Sequence, residues 1–407
     1  MLIDLDGFKR INDTEGHQTG DEILKSVAQR LKAFAGQDGE TVARLGGDEF
    51  TAIFHDIESD DQLNNIARQL AKEIKRPYVI GHKEYQVGVS IGAAIYPDNT
   101  TSTSDLLSYA DTAMYESKNH QNEFTLYQPK MTERIFARRQ LEDQLAVALD
   151  KNEFELVFQP QVSVEGQRII GAEALLRWKK DGQWISPAKF IGILESTREI
   201  RRVGRWILNQ ACHQARLWQQ AGFDLTVSVN VSSIQFSDPD ILDHIFSALE
   251  SSGIDPSLLD IEITESIVIE DVHHTSQKLS QIRELGVSVS IDDFGTGYSS
   301  LSYLRDLPLT RLKIDRAFIA DIPDEDEGII AQSIIQLAHN LKLEVLAEGA
   351  ETLAHLEFLR TNKCDQYQGF IFSEPLFADE CTRLLERQPN DQSPQKNLAS
   401  GEQVKQK

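Results

Sequence analysis

The stretch VSVSIDDFGTG at residues 287–297 alternates apolar and small polar side chains, then runs into two acidic residues and two glycines. This alternation predicts a half-buried β-strand whose successive side chains point to opposite faces. Ser290 and Asp292 fall on the face opposite Val289 and Ile291. We therefore expect a strand that ends in an acidic side chain, followed by a loop whose backbone uses the freedom of glycine.

Seven further apolar runs lie between residues 154 and 372, and most of them are separated by helical patterns. They cover residues 154–159, 169–178, 225–231, 259–264, 311–315, 345–348 and 367–372. Eight strands alternating with helices over about 235 residues predict a TIM-like barrel, a fold of about 250 residues. An open doubly wound sheet is the alternative that the pattern leaves.

Six of the predicted strands carry a polar side chain near the carboxyl end. The polar residues at these ends are Glu173, Asn230, Glu262, Asp292, Asp293, Asp315 and Glu348. In a barrel such ends converge on one mouth, where active sites lie. Clustered carboxylates are costly without cations, and oxygen ligands without His or Cys suit Mg²⁺ or Mn²⁺ better than Zn²⁺. The sequence therefore predicts a divalent-metal site at the mouth.

Composition narrows the class of protein. The chain has 407 residues, of which 40% are hydrophobic and 26% charged, and a net charge of −23. This acidic balance argues against a broad basic surface for a nucleic-acid polymer.

No apolar stretch reaches the roughly 18–20 residues that span a bilayer, and no signal peptide opens the chain. Cys212, Cys364 and Cys381 form no CxxC pair, so we expect a reducing, cytoplasmic location, with room for a sensor or membrane segment upstream of Met1.

The residues before the barrel have a different pattern. Strands are predicted at 2–5, 41–45, 50–54, 85–96 and 124–127, and helices at 19–34, 63–74 and 104–117. With a hairpin at Gly46-Gly47, this order predicts an α+β domain with an antiparallel-rich sheet and helices on one face. The expected organisation is this domain at 1–127, a connecting helix at 128–150, the barrel at 151–387 and a disordered tail at 388–407.

The segment GAEALLRW at residues 171–178 resembles the signature of EAL-domain cyclic-di-GMP phosphodiesterases. The resemblance runs from residue 139 to residue 385 and includes SVNVS at 228–232, IEITES at 261–266, DDFGTGYSSL at 292–301, KID at 313–315, AEGAET at 347–352 and QGF at 368–370. It departs at Ala350, where the family more often has valine, and after Phe190. The resemblance implies an EAL-type TIM-like (β/α)8 barrel that hydrolyses cyclic-di-GMP (c-di-GMP) to linear pGpG with two Mg²⁺ or Mn²⁺ ions.

The same resemblance implies roles for individual residues. Those implied to bind or support the metals are Glu173, Asn230, Glu262, Asp292, Asp293, Asp315 and Glu351. Those implied to bind the dinucleotide are Gln159, Leu175, Arg177 and Gln368. Lys313 would orient the attacking water, Glu348 would be the general base, and Glu265 would hold the loop that begins at residue 292.

The segments DLDGFK at 4–9 and ARLGGDEF at 43–50 resemble a GGDEF diguanylate cyclase domain, which implies a ferredoxin/palm-type α+β fold truncated at its start. By this resemblance Asp4 and Asp48 would bind metal. The residues implied to contact GTP are Lys9, Asn12, Asp21, Gly46, Gly47, Glu49 and Lys118. Three departures from the family pattern argue against a typical cyclase: the domain begins within its first strand, KNHQN at 118–122 lacks an expected arginine, and the inhibitory RxxD positions read QDGE at 37–40. Feedback inhibition through the RxxD site is therefore not expected.

These observations favour a tandem GGDEF–EAL protein that is a c-di-GMP phosphodiesterase, with a GGDEF-like domain that is regulatory or binds GTP with Mg²⁺. Two alternatives stay open. The chain could also make c-di-GMP from two GTP molecules, which requires two such domains facing each other across a homodimer. It could instead be a non-catalytic c-di-GMP receptor, although no metal-binding residue is missing from the EAL-like segments.

Overall fold

The computed structural model describes residues 1–36, 41–120, 122–295, 304–322 and 328–388. The chain divides into two compact units, Met1–Gln140 and Leu141–Lys407, and each has its own hydrophobic core. The positions predicted for inhibition at 37–40, the glycine-rich loop from residue 296 to 303 and the tail from residue 389 lie outside the described residues.

The first unit contains a five-stranded mixed sheet in the order β2-β3-β1-β6-β7, in which β6 and β7 alone run parallel to each other. These strands are β1 (Leu2–Asp4), β2 (Thr41–Gly46), β3 (Glu49–Ile53), β6 (Ser90–Ala93) and β7 (Phe124–Leu126), and β4 (Tyr78–Ile80) and β5 (Lys83–Tyr85) form a separate hairpin. The helices are α1 (Phe8–Glu15), α2 (His17–Phe34), α3 (Asp60–Ile74) and α4 (Thr103–Asn119), followed by α5 (Pro129–Ala148), which crosses the boundary between the units.

Helices cover both faces of this sheet, so the prediction of helices on one face is wrong. Ile3 lies in the core formed with α2 and α3, whereas its neighbour Leu2 packs with Ala110 and Met114 of α4. A Cβ on Gly92, the register partner of Leu2, would lie 2.1 Å from the Met114 backbone nitrogen. Because β1 places apolar side chains on both faces, both faces must be buried.

Two local predictions in this unit also differ from the structure. Helix α1 was not predicted, although its buried Phe8 anchors it to the core. The strand predicted at 85–96 is divided between β5 and β6. Gly81, with a φ of +64°, supplies the turn of the β4–β5 hairpin, a conformation that glycine adopts without steric cost.

The second unit is a closed barrel of eight strands, which confirms the predicted barrel and excludes the open sheet. The ring is β8 (Phe154–Ser163), β9 (Ile169–Lys180), β11 (Thr226–Asn230), β12 (Leu259–Thr264), β13 (Ser288–Phe294), β14 (Arg311–Ile314), β15 (Glu344–Ala347) and β16 (Gln366–Tyr367). Two short strands lie beside the ring: β10 (Gln183–Ile185) pairs with β9 and β17 (Leu376–Phe377) pairs with β8.

One strand of the ring runs against the others: β8 is antiparallel to both β9 and β16. The barrel therefore departs from a strictly alternating (β/α)8 order at its first unit. Residues 164–168 alone connect β8 to β9, and a crossover between parallel strands needs a dozen or more residues. The short connection permits only a hairpin.

Helices surround the barrel and bury its outer face. They are α6 (Pro187–Ser196), α7 (Ile200–Gln220), α8 (Ser233–Phe236), α9 (Ile241–Ser252), α10 (Glu265–Glu270), α11 (Val272–Glu284), α12 (Gly328–Asn340), α13 (Leu353–Thr361) and α14 (Ala378–Glu386). Outward side chains such as Val229, Ile261 and Ile291 belong to one continuous core with these helices. Among the helices of the described residues, none combines the length and apolar character that a bilayer span requires.

The inside of the barrel is polar and layered. In the lower layer Asp260 Oδ2 accepts hydrogen bonds from Ser228 Oγ at 3.0 Å and Ser290 Oγ at 2.7 Å. Arg311 Nη1 lies 3.4 Å from the same oxygen and donates to Gln161 Oε1 at 3.2 Å. Two residues further along β12 and β14, on the same inner face, an upper layer of charged side chains begins.

Candidate functional site

The upper layer brings together acidic side chains from the carboxyl ends of neighbouring strands. One oxygen each from Glu173, Glu262 and Asp292 lie within 4.8 Å of one another. Asp292, Asp293 and Glu348 form a second group of the same size. Because Asp292 belongs to both groups, the arrangement offers two adjoining positions for a cation.

A buried lysine lies among these carboxylates. Lys313 Nζ is 2.7 Å from Glu262 Oε2, 2.7 Å from Glu348 Oε1 and 3.0 Å from Asp292 Oδ1. Its distance to Glu173 Oε2 is 3.7 Å. The Lys313 side chain is fully buried, so this single ammonium neutralises charge that water does not reach.

Two amides fix the Glu173 carboxylate from either side. Asn230 Nδ2 donates to Glu173 Oε1 and Gln368 Nε2 donates to Glu173 Oε2, both at 2.6 Å. Gln368 Nε2 also donates to Gln159 Oε1 at 3.0 Å. Bonds of this kind orient a ligand carboxylate before any cation arrives. Two predicted metal residues, Glu173 and Asn230, and two predicted dinucleotide residues, Gln159 and Gln368, thus share one hydrogen-bond network.

Burial and mutual repulsion change the acidity of the site. Burial, with repulsion from Asp292 and Glu173, raises the pKa of Glu348 to about 7 against the attraction of Lys313. Burial, repulsion from Asp292 and a hydrogen bond to Asp315 raise the pKa of Asp293 to about 6. Burial also raises the pKa of Glu262 well above its ordinary value. Groups with shifted pKa values in one cleft are typical of functional sites.

The residues present fit divalent cations. Glu262 Oε1 is buried and has no hydrogen-bond partner among the described residues, which leaves a carboxylate oxygen with an unmet demand for a cation or a donor. The surrounding donors are carboxylate and amide oxygens, which hard cations such as Mg²⁺ and Mn²⁺ prefer. Acidic side chains that could bind metal are therefore clustered at the mouth of the barrel.

Other predicted site residues take different partners. Glu351 Oε1 pairs with Arg316 Nη2 at 2.8 Å, and within the described residues it belongs to neither carboxylate group. Asp315 Oδ1 accepts from the Ala317 backbone N–H at 2.8 Å, in addition to its hydrogen bond with Asp293. The metal roles predicted for Glu351 and Asp315 stay predictions.

Glu265 and two residues of β9 also surround the site. Glu265 Oε2 accepts from the Gly295 N–H at 3.4 Å, a contact of the kind predicted for holding the loop. Arg177 is half-buried and donates to the Leu176 carbonyl at 2.9 Å. Burial lowers the pKa of Arg177, against the attraction of Glu173. Leu175, two residues earlier, lies on the same face of β9.

In the first unit, the predicted metal residue Asp4 is already paired. Its Oδ1 lies 2.7 Å from Lys118 Nζ, which was predicted to contact phosphate. Asp48 and Glu49 lie at the β2–β3 turn, where Arg44 Nε and Nη2 donate to the Gly47 carbonyl at 2.9 and 2.6 Å. The Gly46-Gly47 turn is therefore held by a side chain of its own hairpin.

The remaining predicted nucleotide residues of this unit lie on α1 and α2. Lys9 and Asp21 are exposed. Asn12 packs so tightly against Gly20 that a Cβ there would lie 1.9 Å from Asn12 Oδ1. The position of the Asn12 carboxamide therefore requires a glycine at residue 20. The nucleotide-binding role of Asn12 stays a prediction.

Sequence reasoning missed Asp260 and Arg311 of the lower layer. Both are buried, and they lie two residues before Glu262 and Lys313 on the same strands. The alternation that selects the later pair also places the earlier pair on the inner face. Alternation therefore indicates that Asp260 and Arg311 face the inside of the barrel. Because neither residue lies at the carboxyl end of its strand, no pattern in the sequence connects them with the mouth.

Two family models match the chain. The EAL domain model matches residues 142–375. The model described as diguanylate cyclase, GGDEF domain, matches residues 1–123. The two matched segments correspond to the barrel and to the mixed sheet with its helices.

Two curated relatives are similar to this chain over both segments, and one solved structure is similar to it over a single segment. Signaling protein YkoW of Bacillus subtilis is 40% identical over 394 residues, which are 96% of this chain and 49% of YkoW. The bifunctional diguanylate cyclase/cyclic di-GMP phosphodiesterase MucR of Pseudomonas aeruginosa is 40% identical over 93% of this chain and 56% of MucR. The structure of the PaMucR phosphodiesterase in complex with c-di-GMP is 40% identical, with a TM-score of 0.58, over 60% of this chain and 99% of that chain. The chain spans about half the length of the curated relatives it matches.

Proposed function

The chain belongs to the EAL domain family and carries a GGDEF domain before its barrel, and from this premise we propose that it is a c-di-GMP phosphodiesterase that releases linear pGpG. The observation that carries this proposal is the pair of carboxylate groups that share Asp292 around the buried Lys313. Relatives named cyclic di-GMP phosphodiesterase NbdA and PdeR support it.

The metal set proposed for the barrel is two Mg²⁺ or Mn²⁺ ions. The residues that would hold them are Glu173, Asn230, Glu262, Asp292 and Asp293, with Asp315 and Glu351 in support. When bound, such ions neutralise charge on the phosphate and lower the pKa of a water molecule. The orphaned Glu262 Oε1 and the amides that orient Glu173 support this assignment.

The protein residues would bind the substrate and move the proton. Glu348, whose pKa of about 7 lies near neutral pH, would accept the proton of the attacking water. The water oxygen would then bond to phosphorus while the bond between phosphorus and the ribose 3′-oxygen breaks, and the released 3′-oxygen would take up a proton from bulk solvent. Lys313 Nζ, 2.7 Å from Glu348 Oε1, would hold that carboxylate in place and orient the water. Arg177, a planar fork suited to phosphate oxygens, would bind the dinucleotide together with Gln159, Leu175 and Gln368.

Incubation of the purified chain with c-di-GMP and Mg²⁺ or Mn²⁺, followed by chromatography, tests the proposal. We expect pGpG to appear and a chelator to block it. Binding of c-di-GMP without turnover would contradict the hydrolase and support the receptor alternative.

Cation binding is expected to weaken as pH falls. Below pH about 7 Glu348 carries a proton, and below pH about 6 Asp293 does as well, so a cation must displace protons there. Calorimetric titration of the metal-free protein with Mn²⁺ between pH 5 and pH 8 should show affinity rising with pH and reaching a plateau near pH 8. In Glu348→Gln the upper part of that rise should disappear. A pH-independent affinity would contradict the carboxylate ligand set.

For the first unit we propose a regulatory domain that binds GTP with Mg²⁺ at the β2–β3 turn. The intact GGDEF segment supports binding, and the arginine missing from KNHQN at 118–122 favours regulation over catalysis. The proposed domain limits stay 1–127, 128–150, 151–387 and 388–407. A homodimer in the bacterial cytoplasm completes the proposal.

Asp48→Ala should weaken GTP binding by about tenfold, which corresponds to roughly 1.4 kcal/mol. Calorimetry with GTP and Mg²⁺ measures this effect, and Asp98→Ala, which removes an exposed acid of the same unit, is the control. We expect no cyclic product from GTP. Formation of c-di-GMP that is lost in Asp48→Ala would establish the bifunctional alternative instead.

A further inference from the structure

Two aromatic side chains from neighbouring strands lie beside the face of β9 that carries the proposed substrate residues. Glu173, Leu175, Arg177 and Lys179 alternate along that face. Trp184 of β10 is the register partner of Lys179, and directly paired residues share a face of the sheet. The inner face of β9 therefore continues outward from the carboxylate cluster to Trp184.

Phe377 of β17 contacts Trp184 from beside β8, the neighbour of β9 in the ring. Phe377 pairs in register with Val157, which pairs with Leu175. The two rings have centroids 5.8 Å apart and are tilted by 40°. The register partners of the two rings reach from Leu175 to Lys179 along β9. At roughly 3.3 Å per residue, the outer aromatic pair, Trp184 and Phe377, therefore lies about 7 to 20 Å beyond Glu173.

The outer aromatic pair is open to solvent. Trp184 is 46% exposed and Phe377 is 39% exposed, whereas Trp178 and Trp218 are buried in the core. Trp206, the remaining tryptophan, is partly buried against that core. The Trp184 indole, which lies beside the proposed substrate face, therefore leaves apolar ring surface in contact with solvent instead of packed inside the protein.

A lysine accompanies the pair. Lys179 Nζ lies 5.1 Å from the centroid of the Trp184 ring, a cation–π geometry. Within the described ranges Lys179 forms no ion pair, in contrast to Lys180, whose Nζ lies 3.0 Å from Glu153 Oε1 on the opposite face. The Lys179 ammonium thus holds the indole in place and still offers donors to an anion.

We propose that Trp184, Phe377 and Lys179 form an outer subsite that stacks the purine base of c-di-GMP farther from the carboxylate cluster. This subsite rests on the proposed function of the barrel. Aromatic faces stack nucleic-acid bases, and the ammonium compensates charge on the sugar–phosphate ring. Because Trp184 and Lys179 lie beyond Arg177, the subsite favours a ligand of two nucleotide units over a mononucleotide.

Fluorescence gives a readout independent of turnover. In the Glu348→Gln background, where loss of the proposed base keeps substrate intact, c-di-GMP should quench tryptophan emission, because Trp184 is the most exposed of the four tryptophans. The quench should vanish when Trp184→Phe is added, although calorimetry should still detect binding. GMP at the same concentration should quench less.

Kinetics supply the second readout. Trp184→Ala should raise KM for c-di-GMP by about 5-fold, the lower end of what base–aromatic stacking contributes, with kcat within twofold of the parent. Lys179→Ala should raise KM by a smaller factor, and Trp184→Phe should restore a KM near that of the parent. Phe246→Ala, which removes an equally exposed aromatic ring on α9, is the matched control and should change neither constant.

The two proposals fail in different ways. Hydrolysis and calorimetric binding together with no quench, a quench that persists in Trp184→Phe, or an unchanged KM in Trp184→Ala would overturn the outer subsite and leave the phosphodiesterase standing. Binding and quench without pGpG formation in the parent chain would overturn the phosphodiesterase and leave the subsite standing. Absence of c-di-GMP binding would overturn both.

Discussion

Glu173→Ala is expected to lower kcat for c-di-GMP hydrolysis by about a thousandfold. Glu173 contributes an oxygen to one carboxylate group and is fixed by Asn230 and Gln368. Its loss removes a proposed ligand and the carboxylate that accepts hydrogen bonds from both amides. Metal ions contribute several kcal/mol to stabilising such transition states, and each 1.36 kcal/mol changes the rate tenfold. Chromatographic quantification of pGpG at saturating c-di-GMP measures the effect.

The matched control for Glu173→Ala is Glu165→Ala. Glu165 is an exposed glutamate in the turn between β8 and β9, at the end of the barrel opposite the mouth. The control should keep the parent's kcat, and calorimetry should show weaker Mn²⁺ binding in Glu173→Ala alone. Turnover in Glu173→Ala within threefold of the parent would refute the role of Glu173 as a metal ligand.

Lys313→Met is expected to destabilise the metal-free barrel strongly. The ammonium lies within 4.0 Å of four carboxylates, and its side chain is fully buried. Removing one partner from a buried ion pair costs about 3–5 kcal/mol, because the remaining charge is left without compensation. At about 2–4 °C per kcal/mol for a domain of this size, the melting temperature should fall by about 6–20 °C. Differential scanning calorimetry in the presence of chelator measures the change.

Saturating Mn²⁺ should reduce the difference between Lys313→Met and the parent, because divalent cations neutralise the same carboxylates. Lys189→Met, which removes an exposed lysine of α6, serves as the control and should melt with the parent under both conditions. A metal-free Lys313→Met protein that melts within 2 °C of the parent would show that Lys313 does not compensate the cluster.

Alternation along strands made much of the barrel predictable. It placed Glu262 and Asp292 on the face opposite the buried Ile261 and Ile291, and the closed ring brings these carboxylates to one mouth. What alternation cannot supply is side-chain geometry. The hydrogen bonds from Asn230 and Gln368 to Glu173 join β11 and the residue after β16 to β9, across a distance in sequence that no local pattern encodes.

Strand direction and sheet coverage depend on features that a strand count ignores. The antiparallel β8 follows from the length of the 164–168 connection rather than from its apolar residues. In the first unit, Leu2 and Ile3 are consecutive apolar residues, which indicates burial on both faces, yet the prediction placed helices on one face. Connection length and the absence of alternation were readable but were given less weight than the order of elements.

The reversal of β8 also determines at which end the chain enters the barrel. A strand antiparallel to its neighbours begins at their carboxyl end, so the chain enters the barrel beside the mouth and not at the far rim. Only residues 149–153 separate α5 from β8, and Ala148 at the end of α5 is itself buried in the barrel core. Phe154, the first residue of β8, is the register partner of Trp178, next to Arg177. The chain thus enters the barrel at the rim that carries Arg177, so a change at the end of α5 lies close to the proposed substrate residues both in sequence and in structure.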